Sequence, residues 1–494
     1  MEVKDLKQGK GPFIKLCMLV TGIVLISSGL TFATFLVSVY EYILRDRLTF
    51  TKNSEPFKAW IANDPPLDLN LYLFNWTNPN ELRHKGVKPR FQEIGPYRIK
   101  EVKEKADLVW NNNDTISYKV RKLYYFDPGY SPRNLDDDLI TTINAVPLTV
   151  AYQAKNFNYF SKRVLSMSMS ILSPLYVTKT ARQILFDGYP DGILNVLSRF
   201  PGLNVQDRFG MFYGSNGTVQ NSVFNMYTKT DDNFGRLLTW NYKNHSGLYP
   251  GKCGDIKGSA MEFYPLNIKK TKLIFFSSEL CKFAELRFEK EEVIKGITGY
   301  KFTGDKIFDN GSTIPENRCF CENTQCLPSG VMDVSKCRKN SPTYLSLPHF
   351  YAADPYYSNL IDGMHPQQTK HQLYIIIEPK SGIIMDIGAN MQMNMLLQPL
   401  QGFLLYQDVP KIFFPMFYFT QHLELKDELA EKLRLIQRLP NYFNYASIGL
   451  ICFGLTLVVW SAYSIFSVCV SDKKQVRENC YEIVPLSDKN LQNT

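Results

Sequence analysis

The chain has 494 residues, a formal net charge of +9 and a mean hydropathy of −0.20. This length excludes a single small soluble core. The averages exclude a chain that is apolar throughout, so a membrane signal must be concentrated in particular segments.

Two segments near the ends of the chain carry no charged residue, residues 16–40 and 446–470. Both can cross a bilayer, which needs about 20 apolar residues as helix. Basic residues flank their outer ends at Lys4, Lys7, Lys10, Lys15, Lys473, Lys474 and Arg477. Because cytoplasmic flanks are rich in Lys and Arg, we expect cytoplasmic segments at 1–15 and 471–494, membrane helices at 16–40 and 445–470, and an outward-facing ectodomain at 41–444.

Two residue types support this orientation. Sequons for N-glycosylation occur at Asn75, Asn113, Asn216, Asn244 and Asn310, all between the two expected membrane helices. Six of the ten cysteines lie there too, at Cys253, Cys281, Cys319, Cys321, Cys326 and Cys337. Clustered cysteines of even number in an oxidising compartment predict three disulfides, although their spacing leaves the pairing open.

Short β-type runs dominate the ectodomain. They lie at residues 69–74, 116–126, 271–276, 373–377, 383–387, 391–397 and 412–419. A Pro-Lys-Ser-Gly turn at 379–382 separates two of these runs and predicts a hairpin. The pattern predicts an α+β fold with a mostly antiparallel sheet and inserted helices.

Two stretches of the ectodomain predict helices. Residues 423–439 have apolar residues near helical spacing and lead towards the second membrane segment. Residues 147–185 contain five basic residues, no Asp or Glu, and many Met, Leu, Tyr and Phe residues. Charge of one sign beside apolar side chains suits a surface that meets amphiphilic or anionic partners, although the same apolar residues would also fit a buried core.

Several segments together resemble the class B scavenger receptor family. They are FFSSELC at 275–281, GVMDVSKC at 330–337, PTYLSLPHF at 342–350, IDGMHP at 361–366 and EP at 378–379 with Gly382, preceded by GPY at 95–97 and LFDGY at 185–189. Each segment alone is weak evidence of the resemblance, but together they occur in the family's order over nearly the whole chain.

The resemblance implies a large ectodomain with an irregular antiparallel β-barrel core and an apical helical bundle. It also implies a largely apolar tunnel through the barrel to the membrane. A lipid in such a tunnel avoids contact with water, which costs about 0.8 kcal/mol per exposed CH₂ group. The implied function is a cell-surface scavenger receptor that binds lipids or lipoprotein particles and passes a fatty acid, sterol or carotenoid to the membrane. The alternative is a binding-only receptor for protein or particle ligands, of the phagocytic, pheromone-sensing or enzyme-sorting kind.

Family positions also imply the disulfide pairs and the ligand entrance. The implied pairs are Cys253–Cys319, Cys281–Cys337 and Cys321–Cys326. Residues 147–185 become part of the apical bundle, with an entrance expected at Lys155, Lys162, Arg163, Met167, Met169, Lys179 and Arg182. The stretch at 165–171 is uncharged, unlike that of the fatty-acid translocase, which has an apical lysine. This departure favours a neutral ligand such as a carotenoid or sterol.

The C-terminal tail contains Tyr481 and Val484 in a Tyr-x-x-apolar arrangement of the kind that endocytic adaptors bind. We find no motif for catalysis, phosphate binding or metal ligation, so we expect no enzyme activity, no cofactor and no metal. The expected partners are lipid or lipoprotein ligands, the bilayer and endocytic adaptors, with no nucleic acid. The expected location is the plasma membrane, with endosomal or lysosomal membrane as the alternative.

Overall fold

The computed structural model describes residues 10–62, 67–199, 205–321 and 326–481. It separates two compact units, one formed by the two ends of the chain and one formed by Arg47–Ala430. The helices are α1 (Lys10–Arg47), α2 (Glu55–Ala62), α3 (Ala145–Gln153), α4 (Tyr159–Leu172), α5 (Gly192–Leu197), α6 (Pro355–Asn359), α7 (Gln368–His371) and α8 (Asp427–Tyr481).

The strands begin with a long antiparallel meander and end with another. They are β1 (Leu67–Trp76), β2 (Phe91–Asn111), β3 (Thr115–Phe126), β4 (Leu139–Ile143), β5 (Tyr176–Thr180), β6 (Tyr189–Pro190), β7 (Arg208–Phe209), β8 (Phe224–Tyr227), β9 (Leu237–Trp240), β10 (Lys272–Ser277), β11 (Lys282–Ile294), β12 (Ile297–Thr303), β13 (Val331–Asp333), β14 (Thr343–Ser346), β15 (Tyr374–Ile377), β16 (Ile384–Leu397) and β17 (Ile412–Glu424).

The terminal unit is an antiparallel pair of long helices, α1 and α8. Stretches of both are apolar and long enough to cross a membrane, within Phe13–Arg47 and Asp427–Val470. The two helices touch backbone to backbone at Gly22 and Gly454, where a Cβ on either glycine would come within 2.8 Å of the other's carbonyl oxygen. Small residues of this kind let membrane helices pack closely. Near the other end of the contact, the Tyr40 hydroxyl donates to the carbonyl of Ile436 at 2.8 Å.

The second unit is built on one large antiparallel sheet of 13 strands. Its main path runs β10-β11-β12-β15-β16-β17-β1-β2-β3-β8-β9, and β14 joins it at β16. The two path ends, β10 and β9, are bridged by the segment 258–259. The Leu237 N–H of β9 donates to the Gly258 carbonyl at 2.8 Å, and the Ser259 N–H donates to the Ile274 carbonyl of β10 at 3.1 Å. The sheet is therefore a nearly closed barrel, as the sequence resemblance predicted.

The bridging segment depends on a glycine. Gly258 has a φ of +83°, and a Cβ there would lie 2.2 Å from the Ile274 carbonyl oxygen. Only glycine tolerates both this backbone conformation and this close approach. The barrel therefore closes through a backbone contact that a larger residue would push apart.

Strand alternation separates an inner and an outer face of the barrel. On β3, Ile116, Tyr118 and Val120 point inward and are buried. Lys119, which points outward, forms an ion pair with Asp107 at 2.8 Å. On β1 and β2 the inward residues follow from the strand register, which pairs Leu71 with Tyr97 and Leu69 with Ile99, and all four are buried.

The barrel has two distinct ends. At one, β1 begins and β17 ends, so this end is next in sequence to α1 and α8, and we call it the helix-linked end. At the other, called the distal end, the Thr141 N–H of β4 donates to Asn75 Oδ1 of β1 at 2.8 Å. Strands β4 and β5 pair with each other there, and α5 contacts both α3 and α4. This helical group provides the apical bundle that the resemblance implied.

Three details of the sequence prediction were wrong. The runs at 383–387 and 391–397 are one continuous strand, β16, because Gly388 and Ala389 remain paired with β17. The stretch at 147–185 is not helical throughout, since it contains β5. The expected helix at 423–439 begins only at Asp427, and it continues without interruption through Pro440 into the membrane segment. The predicted hairpin at 379–382 is present between β15 and β16.

Candidate functional site

Helix α4 presents its apolar face to solvent. Apolar side chains recur at Phe160, Val164, Met167 and Ile171, a spacing that places them on one side of a helix. Their exposed fractions are 77%, 50%, 61% and 83%. Because a soluble helix normally turns such a face to the core, the exposure makes this surface the candidate for contact with a partner. We call these four side chains the docking face.

The opposite side of α4 holds the helix in place. Met169 is 1% exposed and belongs to the main hydrophobic core. The Ser166 hydroxyl is also buried and accepts a hydrogen bond from the Leu404 N–H at 2.8 Å. At the start of the helix, Asn158 accepts from the Ser161 N–H at 2.8 Å and caps the first turn. The docking face is therefore displayed by an anchored helix.

A shallow groove of about 340 Å³ runs along one edge of the docking face. Its lining residues are Phe157, Phe160, Ser161, Val164, Leu165 and Ser168. The lining contains no charged side chain, so the groove suits an apolar chain or ring with at most a hydroxyl group.

Three basic residues lie on α4 or just before it. Arg163 donates from Nε to the Tyr159 hydroxyl at 3.1 Å, and its guanidinium lies 5.4 Å from the centre of that ring. Lys155 Nζ lies 4.0 Å from the centre of the Tyr152 ring. Lys162 lies on the anchored side of α4, four residues before Ser166 and seven before Met169. Its side chain packs beside Gly402, where a Cβ would lie 3.2 Å from Lys162 Cδ. Of the two basic residues of α4, Arg163 is therefore the one that leaves positive charge beside the apolar surface.

The structure places the expected entrance residues on different elements. Lys162, Arg163 and Met167 belong to α4, with Lys155 just before it. Met169 lies in the core, because it is only two residues from Met167 and so points to the other side of the helix. Lys179 is on β5, with Nζ 5.9 Å from the centre of the Tyr189 ring. Arg182 makes two hydrogen bonds to the Asp136 carboxylate, at 2.7 and 2.9 Å. Its charge is therefore neutralised, and we remove Met169 and Arg182 from the entrance.

Sequence reasoning missed the large apolar side chains that dominate this surface. The predicted entrance contained only Met, Lys and Arg residues and did not include Phe160, Val164 or Ile171. The signal was present as a helical repeat of apolar residues. What it lacked was any indication of which side of the helix the rest of the chain would cover.

Sequence reasoning also missed a cluster of charges on the inner face of the barrel. Lys122 of β3 contacts Glu279 at 2.7 Å and Glu101 at 3.8 Å, and Lys103 contacts Glu101 at 3.5 Å. The charge of Lys122 holds the pKa of Glu279 well below its usual range. Burial would lower the pKa of Lys122, but Glu279 and Glu101 outweigh it and raise that pKa. The cluster makes part of the inner wall polar.

The six ectodomain cysteines form three disulfides. They are Cys253–Cys319, Cys281–Cys337 and Cys321–Cys326, which are the pairs that the resemblance implied. The second pair fixes the turn that carries Glu279, because the Arg338 guanidinium next to it donates to the Glu279 carbonyl at 3.3 Å. Among the described residues, no group of three or more His, Cys, Asp or Glu side chains is arranged to hold a metal ion.

The sequons differ in accessibility. Asn113, Asn216 and Asn244 are exposed, and Asn75 is half-buried. Asn310 is 4% exposed, and its amide nitrogen donates to the Val331 carbonyl at 3.3 Å. The structure argues against a glycan at Asn310, because the nitrogen that would carry it is enclosed.

The tail motif falls at the limit of the described residues. Tyr481 is the last residue of α8, and Val484 lies outside the described residues. Its role as an adaptor signal stays a prediction.

Comparison with known proteins agrees with this architecture. The CD36 family model matches residues 18–465. Protein peste of Drosophila melanogaster is 32% identical, over 93% of this chain and 84% of its own length. Lysosome membrane protein 2 of Homo sapiens is 30% identical, over 85% of this chain and 87% of its own. Scavenger receptor class B member 1 of Bos taurus is 28% identical, over 90% and 87%. With its barrel, its two terminal apolar helices and this match over nearly the whole chain, the protein belongs to the CD36 family.

Proposed function

We propose that this protein is a cell-surface receptor that binds lipid-bearing particles on the docking face of α4 and passes an apolar ligand through the barrel to the membrane. The observation that carries the proposal is the exposure of four large apolar side chains on an anchored helix. Covering such side chains stabilises a complex by about 25 cal/mol per Å² of apolar surface. A particle coated with amphiphiles provides that cover.

The charges around α4 support a lipid surface as the partner. Residues 147–185 contain no carboxylate, Arg163 lies beside the docking face, and Lys155 and Lys162 lie just before α4 and within it. Cationic side chains attract the phosphate groups of a lipid surface, while the apolar residues insert between its chains. The relatives named scavenger receptor class B member 1 and lysosome membrane protein 2 support a receptor in the plasma membrane or the lysosomal membrane.

The inner face of the barrel supports a path for an apolar ligand. Met391 and Met393 of β16 face Phe419 and Phe417 of β17 across the strand pair. Met391, Met393 and Phe419 are only half-buried although they pack against core clusters. Methionine side chains adapt to ligands of different shape. A fatty acid, a sterol and a carotenoid remain the candidate cargoes, and their movement down a gradient needs no catalysis.

The topology that accompanies this function places both chain termini in the cytoplasm and the barrel outside. In that arrangement Tyr481 and Val484 would be available to endocytic adaptors. The alternative function is a receptor that only binds a protein or particle, because the same docking face also suits an apolar patch on a protein.

Uptake of labelled lipids tests the proposal. Cells that express the chain would be given particles carrying a labelled fatty acid, a cholesteryl ester or a carotenoid, beside untransfected cells. Selective accumulation of one label supports transfer and identifies the cargo. Particle binding without accumulation of any label, with the receptor confirmed at the surface, would favour the binding-only alternative.

A further inference from the structure

Helix α2 occupies the helix-linked end of the barrel. Its side chains Phe57 and Trp60 are 8% and 7% exposed. The Trp60 ring packs edge-on against Tyr118 with ring centres 4.9 Å apart, and Tyr118 points to the inside of the barrel from β3. The space inside this end of the barrel is therefore filled by α2.

An aromatic cluster surrounds α2 and completes the filling. Phe50 contacts Phe57, Trp60 and Phe263 with ring centres 5.4, 5.3 and 5.1 Å apart. Phe57 also contacts Trp110 of β2 at 5.4 Å. Together with Tyr118 these rings form one continuous group, which we call the aromatic plug.

A half-buried carboxylate fastens the plug to the barrel, with its side chain 24% exposed. Glu262 accepts a hydrogen bond from Trp60 Nε1 at 2.7 Å and from the Tyr118 hydroxyl at 3.3 Å. Lys105 of β2 forms an ion pair with the same carboxylate, and its Nζ lies 4.9 Å from the centre of the Trp60 ring. Burial would raise the pKa of Glu262, but Lys105 and these hydrogen bonds hold it below its usual value.

Glu262 also links the plug to the closure of the barrel. It lies three residues after Ser259, whose backbone joins β9 to β10. The neighbouring residue Phe263 packs against Phe234 with ring centres 5.5 Å apart, beside Gly235, where a Cβ would lie 2.6 Å from Phe263 Cβ. The plug is thus held between the β2–β3 wall and the segment that closes the sheet.

We propose that α2 is a gate whose displacement limits the release of apolar cargo from the barrel. The inference rests on the proposed transfer function. Cargo that enters near α4, at the distal end, and leaves through the opposite end of the barrel must pass the aromatic plug. The hydrogen bond from Trp60 to Glu262 keeps the gate shut, because a hydrogen bond to a charged carboxylate is among the stronger ones in a protein.

The test removes this hydrogen bond while keeping an aromatic ring at position 60. Trp60→Phe removes the N–H donor and leaves the Lys105–Glu262 ion pair intact. Trp76→Phe is the matched control, since Trp76 is 1% exposed and its Nε1 donates to Asn78 Oδ1 at 3.2 Å near the distal end. The full-length variants would be expressed in cells and given lipoprotein particles labelled with a tritiated cholesteryl ether, a fluorescent fatty acid or a carotenoid. Particle binding would be measured in the cold, and the rate of label transfer per bound particle after warming.

We expect Trp60→Phe to bind particles as the wild type does and to transfer label faster by roughly tenfold, the factor for losing one charge-assisted hydrogen bond. Trp76→Phe should transfer label at the wild-type rate. A Trp60→Phe rate that does not exceed the wild-type rate, or an equal increase in Trp76→Phe, would overturn the gate. If the wild-type chain binds particles but transfers none of the three labels, the transfer function fails, and the gate fails with it.

A second measurement covers the case in which Trp60→Phe does not reach the surface. Glu262→Gln keeps an acceptor for the Trp60 N–H but removes the charge that strengthens the bond, so it should also speed transfer relative to wild type. Unchanged or slower transfer by Glu262→Gln at normal surface abundance would contradict the gate.

Discussion

Two short helices of this protein carry apolar faces, and one of these faces is buried while the other is exposed to solvent. Helix α2 buries Phe57 and Trp60 inside the barrel, whereas α4 leaves Phe160 and Ile171 at 77% and 83% exposure. Both helices are amphipathic, so their local patterns do not distinguish them. The difference teaches that an amphipathic pattern does not show whether an apolar face packs against the same chain, and that only the tertiary structure does.

Truncating one apolar side chain on each helix tests the difference between α2 and α4 most sharply. We expect Phe57→Ala to lower the free energy of unfolding by about 3–5 kcal/mol, the usual cost of deleting a buried aromatic side chain. Phe160→Ala should change it by less than about 0.5 kcal/mol, as exposed substitutions usually do. Denaturant unfolding of the purified proteins in lipid nanodiscs would measure both. Equal losses would show that the α4 face is covered by the chain itself.

Placing a charge on the docking face should affect binding and leave stability unchanged. Ile171→Asp introduces a carboxylate that a lipid surface would have to dehydrate, so we expect particle affinity to fall by roughly tenfold or more. Tyr242→Asp is the control, since Tyr242 is 79% exposed elsewhere on the molecule. Binding of labelled particles to expressing cells reports the difference. Equal affinity of the two variants would remove α4 from the binding surface.

Charge reversal on α4 should have a smaller, salt-dependent effect. Replacing Lys162 and Arg163 with Glu should weaken binding of anionic particles by several-fold, which is less than the roughly 1 kcal/mol that each cation in direct contact with an anionic surface contributes, because neither side chain belongs to the docking face itself. Raised salt should shrink the difference, because exposed charges are screened. The control reverses Lys229 and Lys243, two exposed lysines that belong to the β8–β9 region. Unchanged uptake by the first variant at normal surface expression would exclude recruitment by these charges.

Acidification should lower the stability of the barrel core and leave binding at the docking face unchanged. Burial and the neighbouring His349 lower the pKa of His371 to about 4, partly offset by Glu93. The unfolded chain therefore binds this proton first, near its ordinary pKa of about 6.5, and the contribution of His371 to stability falls as the pH drops from about 6.5 to 4. His371→Gln should flatten that part of the stability profile in pH-dependent unfolding. Identical profiles for the variant and the wild type would contradict this role.

Over the same range, particle binding by the folded receptor should change little. Residues 147–185 contain no Asp, Glu or His, so the docking face has no group of its own that titrates between about pH 5 and 8. Binding measured per folded receptor at the two limits would check this. A large loss at the acidic limit would indicate that a titrating group outside this segment takes part.

The sequence allowed prediction of features that depend on local pattern or on shared family positions. The strands with alternating or continuous apolar residues, the hairpin at 379–382 and the disulfide pairs belong to this class. The closure of the barrel at Gly258 and Ser259 could not be predicted, because single backbone bridges leave no periodic signal. Arg182 was wrongly predicted to present a free charge at the entrance for a related reason. Its partner Asp136 lies outside residues 147–185, the stretch from which the entrance was predicted.

The sequence also could not show which side of a helix faces solvent. Met167 and Met169 are two residues apart in one uncharged stretch, yet the first is 61% exposed and the second 1%. Composition alone treats them alike. The distinction comes from Ser166 and Met169 contacting the rest of the chain on one side of α4, which depends on residues distant in sequence such as Leu404.

Photocrosslinking from the docking face tests the central claim most directly. A benzophenone amino acid would replace Ile171 in one variant and Tyr242 in another, and each would be irradiated on cells with bound lipoprotein particles. The account predicts crosslinks to particle lipid or protein from position 171 and none from position 242. Crosslinks of equal yield from both positions, or none from position 171 while particles remain bound, would contradict it.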